Sequence, residues 1–140
     1  MDSLSVIIRI FLAIGIGGLI GYERQYSNRP AGFRTHILVC VGAAITSMTE
    51  LYLVAMFSSM LIVHPELLNV LKGDIGRFGA QVITGVGFLG AGTIIVHKGS
   101  VKGLTTAASL WTVACIGIAV GFGFYFLRVF QFLLLKYYIL

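Results

Sequence analysis

The sequence predicts an all-α protein, a polytopic transmembrane helix bundle of about five spans with its N-terminus out and its C-terminus in. Two observations lead there. Apolar residues make up 58% of the 140 positions and charged residues only 11%, less than half the charged share usual for a soluble domain. Leu4–Tyr22, Ile37–Val63 and Ala80–Val96 each reach or approach the roughly 20 apolar residues needed to cross a bilayer, and the tail Leu104–Leu140 is about twice that length. So little polar surface cannot coat a globule in water, whereas helices in lipid satisfy their own backbone hydrogen bonds.

The first crossing is placed at 3–22. Gly17-Gly18-Leu19-Ile20-Gly21 runs straight into Tyr22-Glu23-Arg24 with no small-residue cleavage site, so this helix is expected to be retained. The second crossing is placed at 36–56 and the third at 77–96. Residues 57–73 hold His64-Pro65-Glu66 and the run Leu67-Leu68-Asn69-Val70-Leu71, and are expected to form an interfacial helix. The tail divides into helices at 104–120 and 123–140, turning at Gly121-Phe122-Gly123, where glycine supplies the backbone freedom. Four crossings with an amphipathic tail are the alternative, because Arg128 and Gln131 interrupt the fifth. Residues 1–140 form a single domain.

Five crossings put Arg24, Arg29, Arg34, Lys98, Lys102 and Lys136 on one side, against Lys72 and Arg77 on the other, and the positive-inside rule makes the first side cytoplasmic. The net charge of +5 is carried by Lys and Arg that stand singly, mostly near segment ends, with no basic run for nucleic acid. Cys40 and Cys115 fall within apolar segments and are expected to act as small buried hydrophobes.

Gly17 and Gly21 form a small-xxx-small pair, as do Gly117 and Gly121, and Gly85, Gly87, Gly90 and Gly92 thin the third span. In lipid, glycines that let backbones approach closely are a main way to pack helices, here within one chain or between copies of it. Gly85-Val86-Gly87-Phe88-Leu89-Gly90 also matches the dinucleotide pattern G-x-G-x-x-G. That motif needs a strand before it and an acid about 20 residues on. It lies instead inside a span, and no acid stands near Leu110.

Polar residues inside the spans carry the remaining signal. Asp74, Arg77, Gln81, Thr84, Gly85 and Gly92 fall along one helical face, and Lys102, Thr105, Ser109 and Thr112 along another. If the two faces meet, polar groups line up from one surface to the other; otherwise the hydroxyls bond back to their own helix carbonyls. Glu50 is the carboxylate expected inside the bilayer, paired with Arg77 or Arg9, since charges in hydrocarbon face inward and pair. His36, His64 and His97 have no partner at metal-ligand spacing. No metal site, cofactor or nucleophile–base arrangement is read, and the protein is expected not to be an enzyme.

Arg29-Pro30-Ala31-Gly32-Phe33-Arg34-Thr35-His36-Ile37-Leu38-Val39, Gly85-Val86-Gly87-Phe88-Leu89-Gly90-Ala91-Gly92 and Val101-Lys102-Gly103-Leu104-Thr105-Thr106-Ala107-Ala108-Ser109-Leu110-Trp111 follow in that order. With Asp74 and Arg77 ahead of the third span, the chain resembles the MgtC/SapB family of bacterial inner-membrane proteins over about residues 5–125. The resemblance implies a multi-pass plasma-membrane protein of about five crossings with a cytoplasmic C-terminus. It also implies a link to magnesium starvation, acid or phosphate stress and virulence, acting as a regulator of other membrane machines, ATP synthase among them. Lys102 stands where the family usually has arginine, which keeps the charge but loses the planar fork. Larger members carry a further cytoplasmic domain after the last span, so this chain, ending at Tyr137-Tyr138-Ile139-Leu140, is expected to be a short member or a fragment.

The candidate functional positions are therefore Arg34, His36, Glu50, Asp74, Arg77, Gln81, Thr84, Lys102, Thr105, Ser109 and Trp111, with the eight glycines above as packing positions. The partners expected are the lipid bilayer, other membrane proteins and a second copy of the chain. A small transporter or channel for magnesium, protons or phosphate is the alternative function.

Overall fold

Four helices and one hairpin make up the computed structural model, which describes residues 2–66, 74, 76–97 and 99–124. In chain order they are α1 (Ser3–Tyr26), α2 (Phe33–Val63), α3 (Arg77–Gly92), β1 (Ile95–His97), β2 (Ser100–Lys102) and α4 (Leu104–Phe122). α1, α2 and α4 are each long and apolar enough to cross a membrane. α3 has 16 residues, which makes it about 24 Å long, short of the ~30 Å hydrocarbon layer.

Several boundaries differ from the sequence expectation, and α1 runs on to Tyr26 instead of ending at 22. α2 continues to Val63, so residues 57–63 prolong the second helix instead of opening an interfacial one. The run Leu67–Leu71 lies outside the described residues. α3 ends at Gly92 and not at 96, and the stretch expected to be a loop at 97–103 contains most of an antiparallel hairpin. Ile95 pairs with Lys102, Val96 with Val101 and His97 with Ser100. Ile95, Val96 and Val101 are β-branched and suit strands, and a short apolar run does not by itself separate strand from helix. The fifth helix expected over 123–140 lies, from residue 125 on, outside the described residues.

Gly123 turns the chain at the end of α4, as the Gly-Phe-Gly pattern predicted. Its φ is +87°, a left-handed conformation costly for any side chain that carries a Cβ. Gly103, with φ +93°, opens α4 in the same conformation, and a Cβ there would overlap the Thr93 carbonyl.

α2 and α4 form the central pair, each packed on all three other helices, with α1 and α3 on the flanks. Contacts this close exist because glycine provides them. A Cβ on Gly17 would stand 2.9 Å from the His36 carbonyl oxygen, and one on Gly21 would stand 2.7 Å from Phe33 Cα. Gly117 and Gly121 of α4 lie directly on the Cys40 and Ala44 carbonyls of α2. Around these contacts Ala13, Cys40, Ala44, Val113 and Val120 form one buried apolar cluster, and Ala43, Val86, Leu110 and Ala114 form another. Both cysteines are free, Cys40 buried and Cys115 half-buried.

Candidate functional site

Polar side chains gather at the two ends of the central pair. At one end, Arg24 follows Gly17 and Gly21 at i+7 and i+3, so it continues the glycine face of α1. It is 4% exposed, and its Nη2 donates to Thr106 Oγ1 at 2.7 Å. Arg24 Nε has no partner among the described residues. Next to it His36 is fully buried, with Nδ1 3.0 Å from the Gly32 carbonyl and Nε2 3.2 Å from Ser109 Oγ. A carbonyl only accepts, so Nδ1 carries a proton and donates to Gly32. The single hydroxyl proton of Ser109 serves either His36 Nε2 or the Thr106 carbonyl, which lies 2.9 Å from Oγ. The cluster thus ties α1, α2 and the first two turns of α4 together around a buried cation that has no carboxylate partner among the described residues.

At the other end, Glu50 of α2 is 2% exposed and reaches the start of α3. Its Oε1 accepts from the Gly76 backbone N–H at 2.6 Å and the Phe78 N–H at 3.4 Å. Its Oε2 is buried with no partner among the described residues. A cavity of about 410 Å³ opens beside it, lined by Glu50, Val54 and Phe57 of α2 and by Asp74, Arg77, Phe78 and Gln81.

Here the expected pairing of Glu50 with Arg77 or Arg9 is corrected. Among the described residues the ion pair present is His64–Glu66 at 3.0 Å, and it is exposed. Glu50 caps a helix N-terminus, and Arg9 Nη1 donates to the Gly121 carbonyl in the last turn of α4. Helix termini explain both choices. They present unpaired N–H groups with partial positive charge at one end and unpaired carbonyls with partial negative charge at the other. A carboxylate and a guanidinium each find there a partner that already belongs to the bundle. Glu50→Ala is expected to lower stability by about 1–3 kcal/mol, because two N–H groups lose their acceptor. Glu50→Gln keeps that acceptor and should lose less, and thermal unfolding in detergent reads the difference.

The two polar rows do not meet, which corrects the proposed alignment across the bundle. α3 turns Gly79, Val86 and Gly90 inward, while Gln81 and Thr84 are exposed. A Cβ on Gly90 would stand 3.4 Å from Ala107 Cβ, so small residues set that contact. Thr84 and Thr112 bond back to the carbonyls of Ala80 and Ala108. Once a hydroxyl satisfies itself this way, lipid no longer forces it inward.

Of the candidate positions, His36 and Ser109 come together, as do Glu50, Asp74, Arg77 and Gln81. Arg34, Thr105 and Lys102 are exposed, and Trp111 is 48% exposed. Gly85, Gly87 and Gly92 have open space where a Cβ would be. The G-x-G-x-x-G match lies wholly within α3. Sequence reasoning missed Arg24 and Thr106. Arg24 was counted as a loop charge, although its place on the glycine face marked it as inward-pointing. Thr106 lies three residues before Ser109 and belongs to the buried face of α4, whereas the row chosen from the sequence used Thr105.

Among the described residues, no group of three or more His, Cys, Asp or Glu side chains is placed to hold a metal ion. Residues 10–139 match the MgtC family. The chain is 42% identical over 125 residues to "Putative magnesium transporter YhiD" of Escherichia coli K12, covering 89% of this chain and 54% of that one. It is 43% identical over 110 residues to "Protein MgtC" of Brucella abortus, covering 77% and 39%. It is 39% identical over 117 residues to "Protein MgtC" of Salmonella typhimurium, covering 84% and 43%. The chain thus spans about half the length of the curated relatives it matches. No solved structure matches it.

Proposed function

Because this chain belongs to the MgtC family, we propose that it is a multi-pass protein of a bacterial plasma membrane that regulates other membrane proteins through helix contacts. The five crossings of this reading are counted from the apolar runs of the sequence, and the distribution of Lys and Arg orients them with the N-terminus out and the C-terminus in. On this reading it serves adaptation to low magnesium, acid or phosphate stress, and does no covalent chemistry.

One observation supports the contact role above the others. The outward side of α3 is thin and open, with Gly85, Gly87 and Gly92 uncovered and Phe88 82% exposed between them. In lipid such a surface lets another helix approach closely. Arg24, His36 and Glu50, by contrast, each bond to a hydroxyl or a helix end of the bundle itself. A transporter or channel for magnesium, protons or phosphate is the second reading, favoured by the cavity beside Glu50 and by the printed name of the Escherichia coli relative.

Single cysteines along 85–92 in native membranes separate the two. Cross-linking to a specific membrane protein, with ATP synthase subunits included in the search, combined with flux equal to empty vesicles in proteoliposomes, supports regulation. Flux above empty vesicles, with no partner captured from that face, overturns it in favour of transport.

A further inference from the structure

The cavity between α2 and the start of α3 has a lining that fits one chemical class. Among the described lining residues are two carboxylates, Glu50 and Asp74, and one guanidinium, Arg77. Glu50 Oε2 is buried without a partner among the described residues, and a buried carboxylate oxygen in that state calls for a donor. We propose that this cavity binds the ammonium group of a primary amine.

A primary ammonium brings three N–H donors and one positive charge, which match the Glu50 and Asp74 carboxylates and the Gln81 amide oxygen of the described lining. The rings of Phe57 and Phe78 supply apolar walls and faces that attract an organic cation. A divalent metal ion suits the place poorly. Mg²⁺ demands near-octahedral oxygen ligation, whereas half of this lining is apolar and Arg77 sits within it. Arg77 has a use with an amine that carries an anionic group nearby, because its guanidinium can take a phosphate or carboxylate in a fork. Such a ligand comes from two sources, the ethanolamine headgroup of a membrane lipid or a free amine. The proposal is independent of how the protein acts on its partners.

The test uses the full chain purified in detergent, with Glu50→Gln and Asp74→Asn variants. Asp74 is exposed and bonds to none of the described residues, so its variant keeps the fold even if Glu50→Gln does not. Ethanolamine is expected to raise the thermal unfolding midpoint of the wild-type chain by a few degrees. That rise should disappear in Asp74→Asn, and sodium or magnesium chloride at equal ionic strength should not reproduce it. Native mass spectrometry after purification from ethanolamine-lipid membranes then separates the sources. Lipid retained by the wild-type chain and lost from Asp74→Asn identifies the headgroup, and equal retention together with the ethanolamine response identifies a free amine. The proposal is overturned if magnesium gives the variant-sensitive rise, if Asp74→Asn responds to ethanolamine as the wild type does, or if neither response nor selective lipid retention is seen.

Discussion

Gly117→Ala is expected to keep α4 from seating on α2. The added methyl would overlap the Cys40 carbonyl and stand 2.8 Å from Ala43 Cβ. An overfilled contact costs about 1–3 kcal/mol when side chains can shift aside. Here the obstacle is main chain, which cannot change rotamer, so the loss should fall at about 3 kcal/mol. Gly121→Ala meets the Ala44 carbonyl and should behave alike. Gly87→Ala is the control, because nothing lies within 4 Å of the added atom. It should be neutral or stabilising by up to ~1 kcal/mol, as alanine replaces glycine inside a helix. Unfolding midpoints in detergent for the three variants check this, and equal loss at Gly87 and Gly117 would refute the packing described for α2 and α4.

Thr106→Val should be nearly as harmful although it keeps the shape of the side chain. Thr106 Oγ1 is the acceptor for Arg24 Nη2, and Arg24 is a charge that the bundle almost fully encloses. Hydrogen bonds to charged groups contribute about 1.5–3 kcal/mol, and losing one partner leaves the desolvated guanidinium uncompensated. A loss of about 2–3 kcal/mol is expected, with Thr106→Ser close to wild type because it restores the oxygen. If Val and Ser unfold at the same temperature, the Arg24–Thr106 bond does not hold the two helices.

These two positions also show where sequence reasoning succeeded and stopped. The glycine pairs at 17/21 and 117/121 were legible, because a four-residue spacing of the smallest side chain has a direct meaning in lipid. The turn at Gly123 was legible for the same kind of local reason. Partners of charges were not. Spacing places Glu50 and Arg9 inside the spans, but it gives no weight to backbone groups at helix ends, which carry no letter in the sequence. Arg24 was misjudged because the first helix runs four residues past its apolar stretch, to Tyr26. The α3–α4 connection was misjudged because three apolar residues after Gly92 fit a helix end as well as a strand.

The way α4 sits against α2 bears on biogenesis. Ser109 follows His36 by 73 residues, a gap that takes about 4–15 s at ribosomal rates. On the proposed topology the α1–α2 hairpin enters the bilayer during that interval, and acyl chains would cover the groove over Cys40 and Ala44. Membrane integration would then precede helix assembly, and lipid would be squeezed from that groove when the glycines of the late-arriving segment reach it. A pulse-labelled, ribosome-stalled nascent chain ending before residue 104 should insert normally yet remain as protease-sensitive as an unpaired hairpin.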